Sequence, residues 1–76
     1  MESSLDWIRP GVPVVVKEVR GGETLQSRLQ DFGMVPGTLV CCRYRSPGGF
    51  VTAVECRGTV VALRTRDLQN IRVQYE

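Results

Sequence analysis

The stretch from Thr24 to Gly37, TLQSRLQDFGMVPG, constrains the fold of this chain more than any other segment. Leu25, Leu29 and Phe32 recur at the spacing of one helical face, which predicts a short helix with a narrow apolar stripe. It is the only place in the chain where the pattern supports a helix of any length.

Both ends of this predicted helix carry signals of their own. Thr24 is placed to accept a hydrogen bond from the free backbone N–H groups of the first turn. Gly33 suits the left-handed conformation that ends many helices, and Met34 can then contact Leu29. Pro36-Gly37 stops further helix and suits the centre of a type II turn. We therefore expect a helix, a glycine stop and a tight turn in direct succession.

The rest of the chain favours short strands. β-branched residues predict the first of them, and Arg57-Gly58 predicts a tight hairpin turn between two later ones. Brief helical turns are expected at 3–8 and 65–68. The predicted strands cover 14–19, 38–45, 50–56, 59–64 and 71–75. With the inserted helix they predict a mainly β fold, a small SH3-like barrel of about five strands.

Alternation along the strands assigns side chains to faces. Val40, Cys42 and Tyr44 are predicted to share one face of their strand. Trp7 is expected to pack against the barrel as a lid rather than to lie exposed. Along the predicted strand 50–56, one side is predicted to carry Phe50, Thr52, Val54 and Cys56.

Length and composition limit the organisation of the chain. It has 76 residues, so we expect a single domain over 1–76 with a small core. The N-terminal residues show no basic start followed by an apolar run, and no apolar run approaches the length of a membrane span. The three cysteines form no spaced disulfide framework. These features predict a cytoplasmic protein.

Few residues suit catalysis. The chain has no histidine, so its serines and cysteines lack their usual activating base. The eight acidic residues are scattered, and Gly21-Gly22 lacks the lysine and the spacing of a phosphate-binding loop. We expect no catalytic residues and no enzymatic activity.

The cysteines do not predict a metal centre. Cys41 and Cys42 are adjacent in a predicted strand, so their side chains should point to opposite faces. Cys42 and Cys56 could approach each other if their strands pair, but two thiolates make an incomplete site. Small apolar filler is the favoured role for each. We expect no metal ligands, no cofactor, and at most weak binding of ferrous iron.

Three segments resemble one known family. Residues 28–38, RLQDFGMVPGT, resemble its central signature, in which an Arg-Leu pair precedes an apolar-Gly-apolar-x-Pro-Gly run. Residues 5–11, LDWIRPG, resemble its opening, and 62–73 resemble its closing segment. The family is ferrous iron transport protein A (FeoA), a small cytoplasmic SH3-like domain.

The resemblance implies a role beside a large ferrous iron permease (FeoB), whose cytoplasmic part binds GTP. It implies a protein that assists or regulates this transporter by contact, is not an enzyme, and meets the membrane only through its partner. The domain is also similar to the C-terminal module of iron- and manganese-dependent transcriptional regulators. A stand-alone relative of that module is therefore an alternative to the transport role. The expected structural signature is Leu25, Leu29, Phe32, Gly33, Pro36, Gly37 and Gly58.

Nucleic acid is the alternative partner from another class. Arginines near the strand ends could converge on phosphate, but the aromatic residues form no obvious stacking ladder. A solvated arginine face is therefore favoured, and no nucleic acid partner is expected. The arginines concerned are Arg43, Arg45, Arg57, Arg64 and Arg66.

The surface beside the apolar stripe is the candidate for protein contact. Arg28 is expected to form a local ion pair with Asp31 or Glu23. We predict that a docking edge is formed there by Arg28, Asp31, Met34 and Val35.

Overall fold

A computed structural model of the chain describes residues 2–76. It contains one six-stranded antiparallel sheet with the strand order β1-β6-β2-β3-β4-β5, and this confirms the predicted mainly β architecture. The strands are β1 (Glu2–Ser4), β2 (Pro13–Val19), β3 (Leu39–Arg45), β4 (Val51–Cys56), β5 (Thr59–Arg64) and β6 (Ile71–Tyr75). The helix α1 covers Glu23–Asp31, and 3-10 turns cover Leu5–Trp7 and Thr65–Asn70.

One strand, β1, is not predicted by the sequence pattern. β1 pairs antiparallel with β6, with Ser3 opposite Val73. Its three residues show no alternation, so only the pairing with the C-terminal strand defines it. The helical turn predicted over 3–8 is accordingly shortened to the 3-10 turn Leu5–Trp7.

The N-cap of helix α1 lies two residues earlier than predicted. Gly22, with an extended backbone, is the N-cap, and no side chain caps the free amides. Thr24 therefore lies inside the first turn, and the predicted cap at Thr24 is wrong. Near the same end, the side-chain amide of Gln26 donates to the carbonyl of Gly21 at 2.9 Å, which leaves the free N–H groups of the first turn uncapped.

The glycine stop at the other end of α1 is confirmed. Gly33 has φ +84°, which is left-handed and favours glycine. The N–H of Met34 donates to the carbonyl of Leu29, and the N–H of Gly33 donates to that of Gln30, both at 2.9 Å. These two bonds form a Schellman motif, which satisfies carbonyls that the end of the helix would otherwise leave free.

The predicted tight turn follows directly. The N–H of Thr38 donates to the carbonyl of Val35 at 3.0 Å, and Gly37 has φ +95°, as the third residue of a type II turn requires. The turn is tied to β2, because Gly37 donates to the carbonyl of Val16 and Val16 donates to that of Thr38. Helix, stop and turn are thus anchored to the sheet as one unit.

The helix lies between two distant parts of the chain. Before it, the N–H of Arg20 donates to the carbonyl of Asn70 at 2.7 Å. After it, the Arg57 side chain lies so close to Gly33 that a Cβ there would stand 2.7 Å from Arg57 Cδ. Arg57 and Gly58 have φ +55° and +82°, which confirms the hairpin turn between β4 and β5. The residues that flank α1 therefore contact the last 3-10 turn on one side and this hairpin on the other.

The sheet, α1 and the 3-10 turns share one core. Leu29 and Met34 enter it from the helix segment, while Leu25 packs against it at the edge. Phe32, predicted to complete the stripe, is 38% exposed, so its assignment to the core is wrong. The other core side chains are Leu5, Ile8, Val14, Val16, Val40, Cys42, Val54, Cys56, Leu63, Leu68, Ile71 and Val73.

The predicted lid is also wrong. Trp7 is 78% exposed, whereas Leu5 and Ile8 are buried in the core. A 3-10 turn has three residues per turn, so Leu5 and Ile8 fall on one side and Trp7 points away from it.

Two facial assignments are wrong, and a bulge in β3 explains the first of them. The pairing of β3 with β4 shifts between Cys42 and Tyr44, which turns Tyr44 to the outer face, where it is 66% exposed. Phe50 precedes the first residue of β4 and is 80% exposed. Thr52, Val54 and Cys56, which are predicted to share one side, are all buried.

Truncation of the buried helix residue tests this packing. Leu29→Ala should lower the free energy of unfolding by about 2–5 kcal/mol, because it leaves a cavity beneath α1. Urea unfolding measures the loss. Ser27→Ala, at an exposed position of the same helix, is the matched control and should change stability by less than about 0.5 kcal/mol. Equal stability of the two variants would contradict the core position of Leu29.

A second substitution tests two requirements at Gly33, the left-handed backbone and the space that the Arg57 side chain occupies. Gly33→Ala should cost about 1–2 kcal/mol for the left-handed backbone and more because the new methyl group displaces Arg57. Gly11→Ala is the control for the backbone alone, since Gly11 has φ +89° and open space around it. In an Arg57→Ala background the excess loss at Gly33 should disappear. Identical losses at both glycines, measured by urea unfolding, would refute the close contact.

Candidate interaction surfaces

The predicted docking edge is only partly on the surface. Arg28 and Asp31 are exposed, and Val35 is half-buried. Met34 is 1% exposed and belongs to the core, so its assignment as a contact residue is wrong. The reason is the helix stop itself, because the bond from Met34 to Leu29 turns the Met34 side chain inward.

The remaining residues of this edge lie on different flanks of α1. Val35 lines a groove of about 220 Å³ between the helix and β2, together with Gln26 and Gln30. Arg28 lies four residues before Phe32, on the opposite flank. Helical spacing therefore puts Arg28 on the flank of the half-exposed Phe32, whereas Val35 lies beside polar amides.

The expected ion pair of Arg28 is not formed. Within residues 2–76, the ion pairs are Arg20 with Glu18 and Arg43 with Glu55, both at 3.1 Å. Arg28 thus keeps its charge available on the outer surface of the helix.

Arg57 was not foreseen as part of this surface. Its side chain lies against Gly33, where the carbonyl groups at the end of α1 carry partial negative charge. The backbone of Arg57 is left-handed, which is uncommon for a residue other than glycine. This conformation costs free energy that the surrounding structure must offset. No local pattern predicts this contact, because it joins positions far apart in the sequence.

A larger groove lies between the β3–β4 loop and the last 3-10 turn. It measures about 480 Å³ and contains two arginines, and we refer to it as the arginine groove. Phe50 is at its rim, and Asp6 supplies its one carboxylate. Its lining residues are Asp6, Gly49, Phe50, Val51, Arg64, Thr65, Arg66 and Gln69.

The five arginines considered for phosphate binding do not converge. Arg43 pairs with Glu55, and Arg45 donates to the backbone carbonyls of Asp6 and Ile8. Arg57 lies on the end of α1, as described above. Arg64 and Arg66 share the arginine groove, whereas Arg43 and Arg57 line a second groove of about 490 Å³ together with Glu55. This dispersal weakens the case for a nucleic acid surface, which needs several neighbouring cations.

The cysteines occupy the positions that alternation predicts. Cys42 and Cys56 are buried on the inner face of the sheet, and Cys41 is half-exposed on the outer face. In register, Cys42 lies opposite Val54 and Cys56 lies opposite Val40, so the two buried thiols are offset along the strands. Among residues 2–76, no three acidic or cysteine side chains are grouped as metal ligands.

Burial also sets the acidity of the inner thiols. Loss of hydration raises the pKa of Cys42, and the charges of Arg45 and Cys41 act on it in smaller and opposing ways. Burial likewise raises the pKa of Cys56, against a smaller lowering by Arg57. Thiols held in the protonated form are poor nucleophiles and poor metal ligands.

No helix in residues 2–76 has the length and apolar character needed to cross a bilayer.

The FeoA domain family matches residues 4–75 of the chain. The FeoA protein of Chlorobium tepidum is 25% identical, with a TM-score of 0.91 over 96% of this chain and 70% of that chain. The FeoA of Stenotrophomonas maltophilia, solved with zinc and described as a prokaryotic SH3 domain protein, is 24% identical, with a TM-score of 0.79. That match covers 95% of this chain and 89% of the other, and it confirms the predicted SH3-like fold.

One further likeness concerns the fold alone. A manganese-dependent transcriptional repressor is 16% identical, with a TM-score of 0.88 over 99% of this chain and 42% of the repressor. Comparison with curated protein sequences gives no match.

Because burial makes these thiols weaker acids, we expect the folded state to lose stability at alkaline pH. In the unfolded chain Cys42 and Cys56 lose their protons around the ordinary value of 9.0, whereas the folded chain retains them. The unfolded state then binds fewer protons, so the free energy of unfolding should fall as the pH rises above 9.0. Urea unfolding near pH 7 and at about pH 10 measures this fall. A Cys42→Ala/Cys56→Ala variant should lose less over the same interval, and an equal loss would contradict the assignment.

Proposed function

This chain belongs to the FeoA family, and we propose that it is an accessory protein of ferrous iron uptake that acts by protein contact. Its proposed partner is the GTP-binding cytoplasmic domain of a ferrous iron permease (FeoB). The match of the FeoA domain to residues 4–75 is the observation that carries this proposal. We also propose that the protein works in the cytoplasm, without a resident metal or cofactor and without catalysis.

The surface of the molecule supports contact as its mode of action. Trp7, Tyr44 and Phe50 are large, well-exposed side chains on a domain of 76 residues. Aromatic side chains and arginines are enriched in protein interfaces, where they often supply most of the binding energy. The chain contains no histidine, so the commonest general base is absent from its chemistry.

The helix α1 and the turn after it are the proposed docking edge. Arg28, Asp31 and Val35 are its surface members, and Met34 supports it from the core. The Schellman motif and the type II turn hold Val35 in place through backbone hydrogen bonds. A rigid edge loses little conformational entropy on binding, which favours its use as a contact surface.

Retention of the partner tests the proposal. The permease's cytoplasmic domain is immobilised in its GTP-analogue, GDP and nucleotide-free states, and binding of the purified chain is measured by biolayer interferometry. We expect binding in at least one state. Arg28→Glu should weaken it about fivefold, because the substitution reverses an exposed charge at the edge. Arg9→Glu, an exposed arginine in the loop before β2, is the matched control and should leave affinity unchanged.

The outcomes separate the parts of the proposal. Absence of binding in all three nucleotide states would refute the permease domain as partner. Undiminished binding by Arg28→Glu, with an unchanged melting temperature, would keep the partner but refute the docking edge. If the chain binds RNA with an affinity that falls steeply as salt is added, the nucleic acid alternative is favoured instead.

A further inference from the structure

The arginine groove has features of a binding site that the docking edge of α1 does not share. Its volume of about 480 Å³ lies within the range of sites that accept a small ligand or a few residues of a peptide. Phe50 and Val51 provide apolar surface, and Arg64 and Arg66 provide positive charge. One site therefore combines an apolar contact with two cations.

Backbone and side-chain bonds hold the two walls of this groove together. The N–H of Thr65 donates to the carbonyl of Phe50 at 2.8 Å. Below them, the hydroxyls of Thr52 and Thr65 share a hydrogen bond of 2.8 Å. These bonds join the start of β4 to the last 3-10 turn, so the groove exists before any ligand arrives.

The ring of Phe50 lies close to Gly48 of the same loop. Gly48 has φ +87°, and a Cβ there would lie 3.3 Å from the ring carbon Cε2. The ring therefore lies against the backbone of the loop, although 80% of the residue is exposed to solvent. An exposed aromatic side chain beside the groove presents apolar surface to a ligand, and its few rotatable bonds limit the entropy lost on binding.

The charges of the groove select among possible ligands. The ion pairs in residues 2–76 involve neither Arg64 nor Arg66, so both guanidinium groups are available to carboxylates. Asp6, the single acidic residue of the lining, accepts a hydrogen bond from the Ser4 hydroxyl. The groove thus has an excess of positive charge but keeps one acceptor.

From this combination we propose that the arginine groove binds a short acidic segment of a partner protein, with an apolar side chain seated against Phe50. Two carboxylates would meet Arg64 and Arg66, and the carboxylate of Asp6 would accept a hydrogen bond from the backbone of the segment. RNA fits less well, because two arginines neutralise few of its phosphate charges. A second copy fits less well too, because the chain carries a net charge of +2.

This site is separate from the docking edge and does not depend on the identity of the permease. It can be tested with the isolated chain, so its failure leaves the proposed function untouched. The probe is a library of random short peptides displayed on phage and selected on the immobilised protein. We expect the enriched peptides to combine acidic residues with an aromatic or branched apolar residue.

Variants then locate the binding site. For a synthetic selected peptide, Arg64→Glu/Arg66→Glu should weaken binding about tenfold or more, and Phe50→Ala should weaken it about fivefold. Phe50 is exposed, so its truncation should leave the melting temperature unchanged. Arg9→Glu/Arg20→Glu makes the same change in net charge outside the groove and should alter affinity by less than about twofold.

Several results would overturn the inference. They are a selection without enrichment, enriched peptides without an acidic bias, and equal binding of the selected peptide to the Arg64→Glu/Arg66→Glu variant. Displacement of that peptide by oligouridine, together with tighter binding of the RNA, would assign the groove to nucleic acid instead.

Discussion

The turn at Gly33 is the constraint on which the rest of the structure depends. Its left-handed backbone ends α1 and sends Met34 back into the core beside Leu29. It also leaves the space that the Arg57 side chain fills. One residue without a side chain thus links the helix, the core and the β4–β5 hairpin, three parts that local sequence keeps far apart. A side chain there would disturb all three together.

The arginines show how such a small domain divides its polar side chains between structure and recognition. Arg43, Arg45 and Arg57 are engaged with a carboxylate, with backbone carbonyls and with the end of a helix. Arg28 and the pair in the arginine groove have no ion-pair partner within residues 2–76. Net charge alone, at +2, hides this division. Only contacts between distant residues reveal which cations are available to a partner.

Features set by neighbouring residues were predictable, and features set by distant pairing were not. The glycine stop, the type II turn and the Arg57-Gly58 hairpin follow from local backbone preferences. Tyr44 was assigned to the wrong face because a bulge breaks the alternation of β3. Met34 was expected both to close the helix against Leu29 and to face a partner. The first role excludes the second, since the contact that closes the helix buries the side chain.

The pairing of β1 with β6 has a topological consequence. Glu2 lies opposite Gln74, so the two ends of the described chain meet at one edge of the sheet. A domain built in this way can be joined to other polypeptide at a single corner, while its remaining faces stay accessible. The same architecture fills 42% of a manganese-dependent repressor, where it is one module of a longer protein. Adjacent termini make this fold easy to transplant between larger assemblies without rebuilding its interior.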